Sequence, residues 1–318
     1  MNNQSSVTQF TLLTLLLVLL SAVVPVHADT PGSVVAWGDN RVGQATVPAG
    51  LSNVMAIAAG LYHSMAVKSD GTVVAWGNKL NPVTKVPTGL SDVTAIAGGL
   101  SQTLALKKDG TVVAWGEAPG LKLVPVGLTG VKAVAANFSV SLALKSDGTV
   151  VAWGGTGSSQ EDVPAGLNSV IAVAVGQAHV LALKRDGTVV AWGAKGSKQA
   201  TIPVAAQSDV KAIAAGGGHS VALKRDGTVV AWGTYWEGNK LAPMTVPAGL
   251  SGVTAIAAGQ GHIVALKKDG TVVAWGRNAF GQTNVSADLS GVTAIAAGMD
   301  HTVALIGGLP TSASTKAK

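Results

Sequence analysis

The sequence predicts an all-β fold built from repeats, and three observations carry that prediction. The motif Gly-Thr-Val-Val-Ala-Trp-Gly at residues 71–77 returns in similar form about every 39 residues along the chain. Each full copy follows an alternating apolar segment and an Asp-Gly pair, the pattern of a strand entering a tight hairpin turn. Self-similarity at a period of about 20–50 residues is typical of proteins that stack or circularise one small structural unit.

One repeat is predicted to contain three strong strands and one weak strand. Strand A (54–60) is short and apolar, and it ends in the small residues Ala-Ala-Gly. Strand B (63–68) alternates as a half-buried strand should, and strand C (72–76) carries β-branched residues and a tryptophan. Strand D (85–87) contains a proline, which suits an edge where a missing N–H breaks no ladder.

Four antiparallel strands of this kind form one blade of a β-propeller. The chain contains seven A–B pairs and seven copies of strand C. However, the first strand C (34–37) has no A–B pair before it, and the last A–B pair (292–305) has no strand C after it. We therefore predict a seven-bladed β-propeller with four-stranded antiparallel blades, closed by pairing the N-terminal and C-terminal strands in one blade. Closure of this kind removes exposed sheet edges. The seven A–B pairs begin at Val54, Val93, Val131, Val170, Val210, Val253 and Val292.

Seven of the eight tryptophans fall at the same position of strand C. An equivalent residue in every repeat is best explained by packing between neighbouring blades, so these side chains are predicted to be core and not a binding site. The seven are Trp37, Trp76, Trp115, Trp153, Trp192, Trp232 and Trp275.

The N-terminal residues 1–28 are predicted to be a secretory signal peptide. An apolar run (10–24) is broken by Pro25 and followed by the small-residue site that ends at Ala28. The run is shorter than the roughly 20 residues of a membrane-spanning helix. Because residues 1–9 lack Lys and Arg, an uncleaved anchor is the alternative. The expected organisation is signal peptide 1–28, propeller 29–308 and disordered tail 309–318, with the protein secreted or periplasmic and without a stable membrane anchor after cleavage.

Composition excludes some classes of site. The chain has no cysteine, so neither a disulfide nor a zinc–thiolate centre is available. The formal charge is +6, but many basic residues stand beside the Asp-Gly pairs and are interleaved with acids. Nucleic-acid binding needs a concentrated phosphate-neutralising patch, so solvated turns are the preferred interpretation and no nucleic-acid partner is expected. The propeller is expected to act as a monomer.

Histidine and aspartate recur, but in patterns that do not predict catalysis. In the pair His63-Ser64, neighbouring strand residues point to opposite faces, and no recurrent acid stands nearby to orient the imidazole. The Asp-Gly carboxylates are spread around the ring as turn formers, too far apart to act as a pair on one substrate. We expect no enzyme activity, no metal and no cofactor. Histidine begins strand B in five repeats, at His63, His179, His219, His262 and His301.

These repeats resemble the regulator-of-chromosome-condensation repeat family, whose fold is a seven-bladed propeller. The motifs Gly-Thr-Val-Val-Ala-Trp-Gly and Ala-Ala-Gly-x-x-His-Ser carry the resemblance over about residues 32–307. In repeat form, residues 35–48 and 54–68 are similar to the secreted bacterial propellers that inhibit β-lactamases. In those inhibitors, the A–B loops and the loops that leave strand C grip the enzyme. The resemblance therefore implies a protein partner, with a class A β-lactamase as the specific candidate, bound at that rim.

The loops of that rim differ between repeats and contain the candidate contact residues. The loop at 234–244 is the longest of those that follow strand C, and it holds the one tryptophan outside the repeated position. No core role explains that side chain, so a contact role is favoured. The predicted partner-binding residues are Tyr62, Phe138, Tyr235, Trp236, Glu237, Phe280 and Asp300.

The sequence thus predicts an exported, non-enzymatic protein-binding module, with a β-lactamase or penicillin-binding enzyme as the most specific partner. The alternative hypothesis is a cell-wall or glycan-binding surface protein, for which Trp236 would be the aromatic platform and Glu237 its polar neighbour. An enzyme acting in the central channel is a third, weaker hypothesis. Guanine-nucleotide exchange, the role of the eukaryotic relatives, is disfavoured by the expected export.

Overall fold

A computed structural model describes residues 32–79, 82–116, 124–155, 159–193 and 196–307. These residues form 22 strands arranged in seven antiparallel sheets. No helix within these ranges is long and apolar enough to cross a membrane. The predicted signal peptide (1–28) and tail (309–318) lie outside the described residues.

The predicted strands A, B and C are all present, and every strand A begins at the expected valine. The A strands are β2 (Val54–Ala59), β5 (Val93–Gly98), β8 (Val131–Asn137), β11 (Val170–Val175), β14 (Val210–Ala215), β18 (Val253–Ala258) and β21 (Val292–Ala297). The B strands are β3 (His63–Lys68), β6 (Gln102–Lys107), β9 (Val140–Lys145), β12 (His179–Lys184), β15 (His219–Lys224), β19 (His262–Lys267) and β22 (His301–Ile306). The C strands are β1 (Ser33–Gly38), β4 (Val73–Gly77), β7 (Val112–Gly116), β10 (Val150–Gly154), β13 (Val189–Gly193), β16 (Val229–Glu237) and β20 (Val272–Gly276).

Each sheet is one blade with the spatial order A–B–C, which confirms the seven-bladed propeller. We number the blades along the chain, so that blade 1 is β2–β3–β4 and blade 6 is β18–β19–β20. Blade 7 contains β21, β22 and β1, because β1 pairs with β22 from Ser33 opposite Ile306 to Gly38 opposite His301. This sheet joins strands from the two ends of the described chain, as the sequence predicts.

The predicted fourth strand is present in blade 5 alone among the described residues, as β17 (Lys240–Pro243). In the other blades, the described residues that connect strand C to the next strand A, which we call segment D, are irregular or form a short 3-10 helix. The reason is that segment D turns a carbonyl toward the next blade. The indole Nε1 of Trp76 donates to Gln44 O at 3.1 Å, and that of Trp115 donates to Val83 O at 2.9 Å. The 3-10 helices are Pro82–Thr84, Lys198–Ala200 and Val204–Ala206.

The hydrophobic core lies between neighbouring blades. Trp76 of blade 1 packs in one cluster with Val303 and Leu305 of blade 7, and Trp115 of blade 2 packs with Met65 and Val67 of blade 1. The same arrangement recurs around the ring, with the indole of each blade against the preceding blade. The prediction that these tryptophans are core is confirmed.

The Asp-Gly hairpins lie at the end of the blades opposite the A–B turns, and their carboxylates hold the turns. Asp70 accepts from Thr72 N at 2.9 Å and lies 3.2 Å from Lys68 Nζ. The hydrogen bond from the Thr72 hydroxyl is the main reason that the pKa of Asp70 falls to about 2. Gly71 follows with a φ of 76°, a conformation that favours glycine. The repeated aspartates are therefore turn formers.

Candidate functional site

The loops that leave strand C lie beside the A–B turns, so both form one rim of the propeller. In blade 1, Asn78 N donates to Tyr62 O at 3.0 Å. In blade 6, Arg277 N donates to Gly261 O at 2.8 Å. Because these bonds join the residue after strand C to the turn of the same blade, variable side chains from both loops share one surface.

Backbone hydrogen bonds also join the A–B turns of neighbouring blades. Between blades 3 and 4, a side chain makes the connection: Asn137 Nδ2 donates to Val175 O at 3.0 Å. The side chains of Gln260 and Gln177 meet at 2.7 Å although they belong to blades 6 and 4. The backbone bonds are Leu61 N to Gly99 O, Leu100 N to Phe138 O, Gln177 N to Gly216 O, Gly217 N to Gln260 O, Gln260 N to Met299 O and Met299 N to Leu61 O.

The central channel has little room for a ligand. Its cavity is about 60 Å³ and is lined mainly by the alanine and glycine residues of the A strands. That volume holds a few water molecules. Among the described residues, no group of three or more His, Cys, Asp or Glu side chains is placed to hold a metal ion. Variable chemistry is concentrated on the rim instead.

Directly beneath the rim, buried histidines connect one blade to the next. The ring Nε2 of His63 lies 3.1 Å from Thr103 Oγ1 of the following blade. That hydroxyl in turn donates to the carbonyl of Val83 in segment D at 3.3 Å. The equivalent pairs are His179 with Ser220 at 2.8 Å, His262 with Thr302 at 3.1 Å and His301 with Ser64 at 2.9 Å.

These contacts determine the protonation of the imidazole. Ser64 uses its only proton to donate to Gln44 O at 2.8 Å, so it can only accept from His301. The histidine therefore carries its proton on Nε2, and Nδ1 has no partner among the described residues. Burial lowers the pKa of His301 to about 4 and that of His63 to about 3. Four of the five histidines are therefore neutral structural bridges between blades.

The junction between blades 5 and 6 lacks this polar bridge. Ile263 stands where the other four histidine junctions have a hydroxyl, and the buried Met244 follows β17 in place of a regular segment D. Both ring nitrogens of His219 and the indole Nε1 of Trp275 are buried without a hydrogen-bond partner in the described part of the chain. The loop predicted at 234–244 is thus a hairpin whose path removes the carbonyl that the other junctions use.

Two arginines and one aromatic ring form the centre of the rim site. The guanidinium carbon of Arg41 lies 4.3 Å from the ring centroid of Phe280, and that of Arg277 lies 5.9 Å from the same centroid. Cations within about 6 Å of a ring face are attracted by its quadrupole. The loops of blades 6 and 7 therefore meet over Phe280, although they come from opposite ends of the sequence.

Two aspartates beneath these arginines orient them. Asp39 receives Arg41 Nε on Oδ1 at 2.8 Å and Nη2 on Oδ2 at 2.9 Å, and this hydrogen bonding lowers its pKa. Asp300 lies 3.6 Å from Arg277 Nη1 and accepts from Gln282 Nε2 at 2.9 Å. Burial raises the pKa of Asp300. Both carboxylates are buried, so the exposed chemistry of this cluster is that of the guanidiniums and the ring.

Tyrosines extend the cluster on either side. The loop that holds Arg41 reaches the turn of blade 1, because a Cβ placed at Gly77 would lie 2.6 Å from Tyr62 O and 3.3 Å from Gln44 Cα. A Cβ placed at Gly261 would lie 3.0 Å from Cβ of Arg277 and 3.7 Å from Cβ of Tyr235, so these two side chains approach each other over that glycine. We call Tyr235, Arg277, Phe280, Arg41 and Tyr62 the rim arc, which spans blades 5, 6, 7 and 1.

The hairpin of β16 and β17 adjoins the rim arc and exposes an apolar pair. Trp236 is directly opposite Leu241, and the two are 60% and 56% exposed. Glu237 pairs with Lys240 at the tip, where Gly238 has a φ of 60° as the first central residue of a two-residue turn. Tyr235 points to the other face, where it packs on the blade 5–6 core.

The structure brings most of the predicted contact residues together, with two exceptions. Phe138 lies on the turn of blade 3, with a φ of 44°, and blade 2 separates it from the Tyr62 turn. Asp300 is buried, so it positions Arg277 and Gln282 instead of facing solvent. Sequence reasoning missed Arg41 and Arg277. Their position in variable loops of the rim was the available signal, because many of the other basic residues stand beside the Asp-Gly pairs.

The fold and the rim together define a seven-bladed β-propeller whose variable loops lie on one rim. A family model described as the regulator of chromosome condensation (RCC1) repeat matches residues 55–81, 170–199, 210–234 and 253–282. The chain is therefore a propeller that contains repeats of the RCC1 type, as the motifs predicted. A comparison with curated protein sequences finds no match.

Solved structures support the same fold. Yeast RCC1 (Prp20), in a crystal structure with Kap60 bound, is 17% identical with a TM-score of 0.74, over 98% of this chain and 96% of that chain. Human WBSCR16 is 20% identical with a TM-score of 0.67, over 87% and 99%. The CRINKLY WD40 ectodomain of the Arabidopsis thaliana receptor kinase ACR4 is 20% identical with a TM-score of 0.63, over 80% and 94%.

Proposed function

We propose that this protein is an exported, non-enzymatic module that binds a protein partner through the rim arc and the adjoining Trp236–Leu241 pair. The observation that carries the proposal is the continuity of aromatic and arginine side chains across four blades on one rim. Interface energy is concentrated in a few Trp, Tyr and Arg residues. The rim supplies all three types next to each other, on loops held by backbone hydrogen bonds.

The similar structures are consistent with this class of function. The structure of yeast RCC1 was determined with Kap60 bound, and a structure of Prp20p from Saccharomyces cerevisiae is described together with its binding to Gsp1p and histones. The narrow channel and the neutral, bridged histidines of this chain favour binding over catalysis. Export rests on the predicted signal peptide at residues 1–28.

The specific partner that we propose is a class A β-lactamase, because the repeat form resembles that of propellers which inhibit such enzymes. The test is inhibition of a panel of purified class A enzymes by the purified protein and by the variant Trp236→Ala. We expect nanomolar inhibition that weakens at least tenfold in the variant. No inhibition at about 10 μM, a binding free energy weaker than about −7 kcal/mol, would exclude this partner class.

A matched control separates the rim from nonspecific apolar contact. Val204 lies in the short helix Val204–Ala206 of another blade and is 82% exposed, so Val204→Ala removes exposed apolar surface away from the arc. Val204→Ala should leave inhibition unchanged within twofold. If Val204→Ala and Trp236→Ala weakened inhibition equally, the result would contradict a specific rim site.

The second candidate function is glycan or cell-wall binding, and the exposure of Trp236 beside Glu237 favours it. A sugar ring stacks on an exposed indole, while a carboxylate accepts from its hydroxyls. Co-sedimentation of the protein with purified cell wall, lost in Trp236→Ala and retained in Val204→Ala, would support this function. Binding to a β-lactamase without co-sedimentation would exclude it.

A further inference from the structure

We propose that the rim arc recognises a carboxylate-bearing segment of its protein partner, bound by Arg41 and Arg277 over the ring of Phe280. This inference rests on the proposed function and specifies the chemistry of the partner. It is carried by the position of two guanidiniums on one ring, by the burial of their own acidic neighbours and by the donors that remain unused.

The two cations are close enough to act on one short segment. The guanidinium carbons of Arg41 and Arg277 lie 4.3 Å and 5.9 Å from the ring centroid of Phe280, so the two carbons are at most about 10 Å apart. Two carboxylates at alternate residues of an extended peptide, which share a face about 7 Å apart, fit within that span. The ring of Phe280 is near both cations and adds apolar surface to the cluster.

The exposed side of this cluster is cationic although its formal charges balance. The side chains of Asp39 and Asp300 are each 4% exposed, whereas those of Arg41 and Arg277 are 65% and 29% exposed. An approaching partner therefore meets the guanidiniums first. Asp300 lies 3.6 Å from Arg277 Nη1, longer than a direct hydrogen bond, and burial raises the pKa of its carboxyl.

Both arginines have hydrogen-bond donors left for an acidic group. A guanidinium carries five N–H donors in a planar fork. Arg41 uses Nε and one Nη2 hydrogen on Asp39, which leaves the Nη1 edge unoccupied within the described residues. Arg277 has one ion pair there, with Asp300. Because the buried aspartates already orient the side chains, less rotamer entropy is lost when a second anion binds.

The basic residues on the opposite rim do not offer the same site. Five of the described lysines there are paired with the aspartate of their own hairpin, as Lys68 is with Asp70 at 3.2 Å and Lys145 with Asp147 at 3.2 Å. These five pairs lie in five different blades. The rim arc places two arginines and an aromatic ring together, which suits a short acidic segment better than an extended polyanion.

The test uses a fluorescein-labelled peptide of ten glutamates, with a peptide of ten glutamines as the uncharged probe. Fluorescence anisotropy should show binding of the glutamate peptide that weakens as NaCl rises from 50 to 300 mM. Arg277→Gln should weaken it at least tenfold, while Gln282 still donates to the buried Asp300. Arg277→Lys, which keeps the charge but loses the fork, should lie between wild type and Arg277→Gln.

Arg225→Gln is the matched control, because Arg225 is exposed on the opposite rim. It should retain glutamate-peptide affinity within twofold. The proposal is overturned if Arg225→Gln and Arg277→Gln weaken binding of the glutamate peptide equally, or if the glutamine peptide binds as tightly as the glutamate peptide. It is also overturned if inorganic polyphosphate of similar charge displaces the labelled peptide at a lower concentration than unlabelled glutamate peptide does. Thermal unfolding checks that each variant is folded. If Arg277→Gln does not fold, Arg277→Lys provides the test.

The two levels of proposal fail in different ways. If a β-lactamase binds wild type, loses affinity with Trp236→Ala and keeps it with Arg277→Gln, the rim function stands and the carboxylate inference is overturned. If both variants weaken that binding and the glutamate peptide competes for it, both stand. If neither variant changes binding of any partner or peptide, both are overturned.

Discussion

Acid should unfold this protein in a pH window determined by its five buried histidines. Burial is the main cause that lowers their pKa values, to about 3 for His63, His219 and His262 and to about 4 for His179 and His301. The unfolded chain takes up protons below the ordinary value of 6.5, whereas the native chain does not until pH approaches 4. Stability is therefore greatest above pH 6.5 and falls as pH decreases through that range.

The expected loss is large compared with the stability of a domain. Each histidine lowers the free energy of unfolding by about 1.4 kcal/mol per pH unit once pH is below 6.5. At pH 5 this amounts to about 2 kcal/mol per histidine and about 10 kcal/mol for five. Folded domains are stable by about 5–15 kcal/mol, so unfolding is expected near pH 5.

The carboxylates act at lower pH and can be separated from this effect. Hydrogen bonds from Thr72, Thr149 and Thr271 hold the pKa values of Asp70, Asp147 and Asp269 at about 2. A carboxyl whose pKa is lowered stabilises the native state above its ordinary value of 3.8 and loses that contribution as pH falls toward 2. Changes between pH 7 and pH 5 therefore report mainly on the histidines, and Asp300, whose pKa is raised by burial, acts in the opposite direction.

The assay is guanidinium-induced unfolding, followed by tryptophan fluorescence, at pH 7.5, 6.5, 5.5 and 5.0. The chain offers its own control, because Gln102 stands at the histidine position of blade 2 and donates to Val140 O at 3.1 Å. Below pH 6, the free energy of unfolding of the wild type should change by about 7 kcal/mol per pH unit, and that of the double variant His63→Gln and His262→Gln by about 4 kcal/mol per pH unit. A wild-type stability at pH 5 within about 1 kcal/mol of that at pH 7.5, or an unchanged slope in the variant, would refute the reasoning.

The blade bridges give three further predictions, all measured by chemical denaturation at pH 7.5. Thr103→Val leaves the His63 Nε2–H without an acceptor and should lower the free energy of unfolding by about 1–3 kcal/mol. Thr103→Ser keeps the hydroxyl and is the control; if the two variants lose the same small amount of stability, the result would argue against the bridge. Gly60→Ala places a Cβ on the ring of His63 and should lower stability by about 1–3 kcal/mol; a neutral result would mean that the ring moves freely. His219→Leu removes two unpartnered nitrogens and should be neutral or stabilising by up to about 2 kcal/mol, so a clear loss of stability would reveal a partner for His219.

The strands and their order were predictable because the information for them is local and repeated. Alternation with period two marks strand B, the Asp-Gly pair marks the turn, and β-branched residues mark strand C, so seven copies reinforce one interpretation. The A strands accordingly begin at the predicted valines, from Val54 to Val292. The core role of Trp76 and its equivalents also follows from repetition, since a contact needed in every blade selects the same residue in each.

The rim was partly predictable for the same reason. Once strands A, B and C are placed, the A–B turn and the exit of strand C must fall at one end of the blade, so Tyr62 and Phe280 belong to one surface. The sequence does not determine the angular distance between blades, so it does not show that Phe138 lies away from the rim arc. Nor does it show the burial of a loop residue such as Asp300.

By itself, the sequence determined the repeat, the strand boundaries, the blade number and the rim on which variation is concentrated. The tertiary structure alone decided the irregular path of segment D, the bridging of His63 to Thr103 forty residues away and the meeting of Arg41 with Phe280. These features depend on contacts between blades, and some, such as Ser64 with His301, join residues 237 positions apart. No local pattern encodes such a contact, because the ring must be assembled before the two side chains share a neighbourhood.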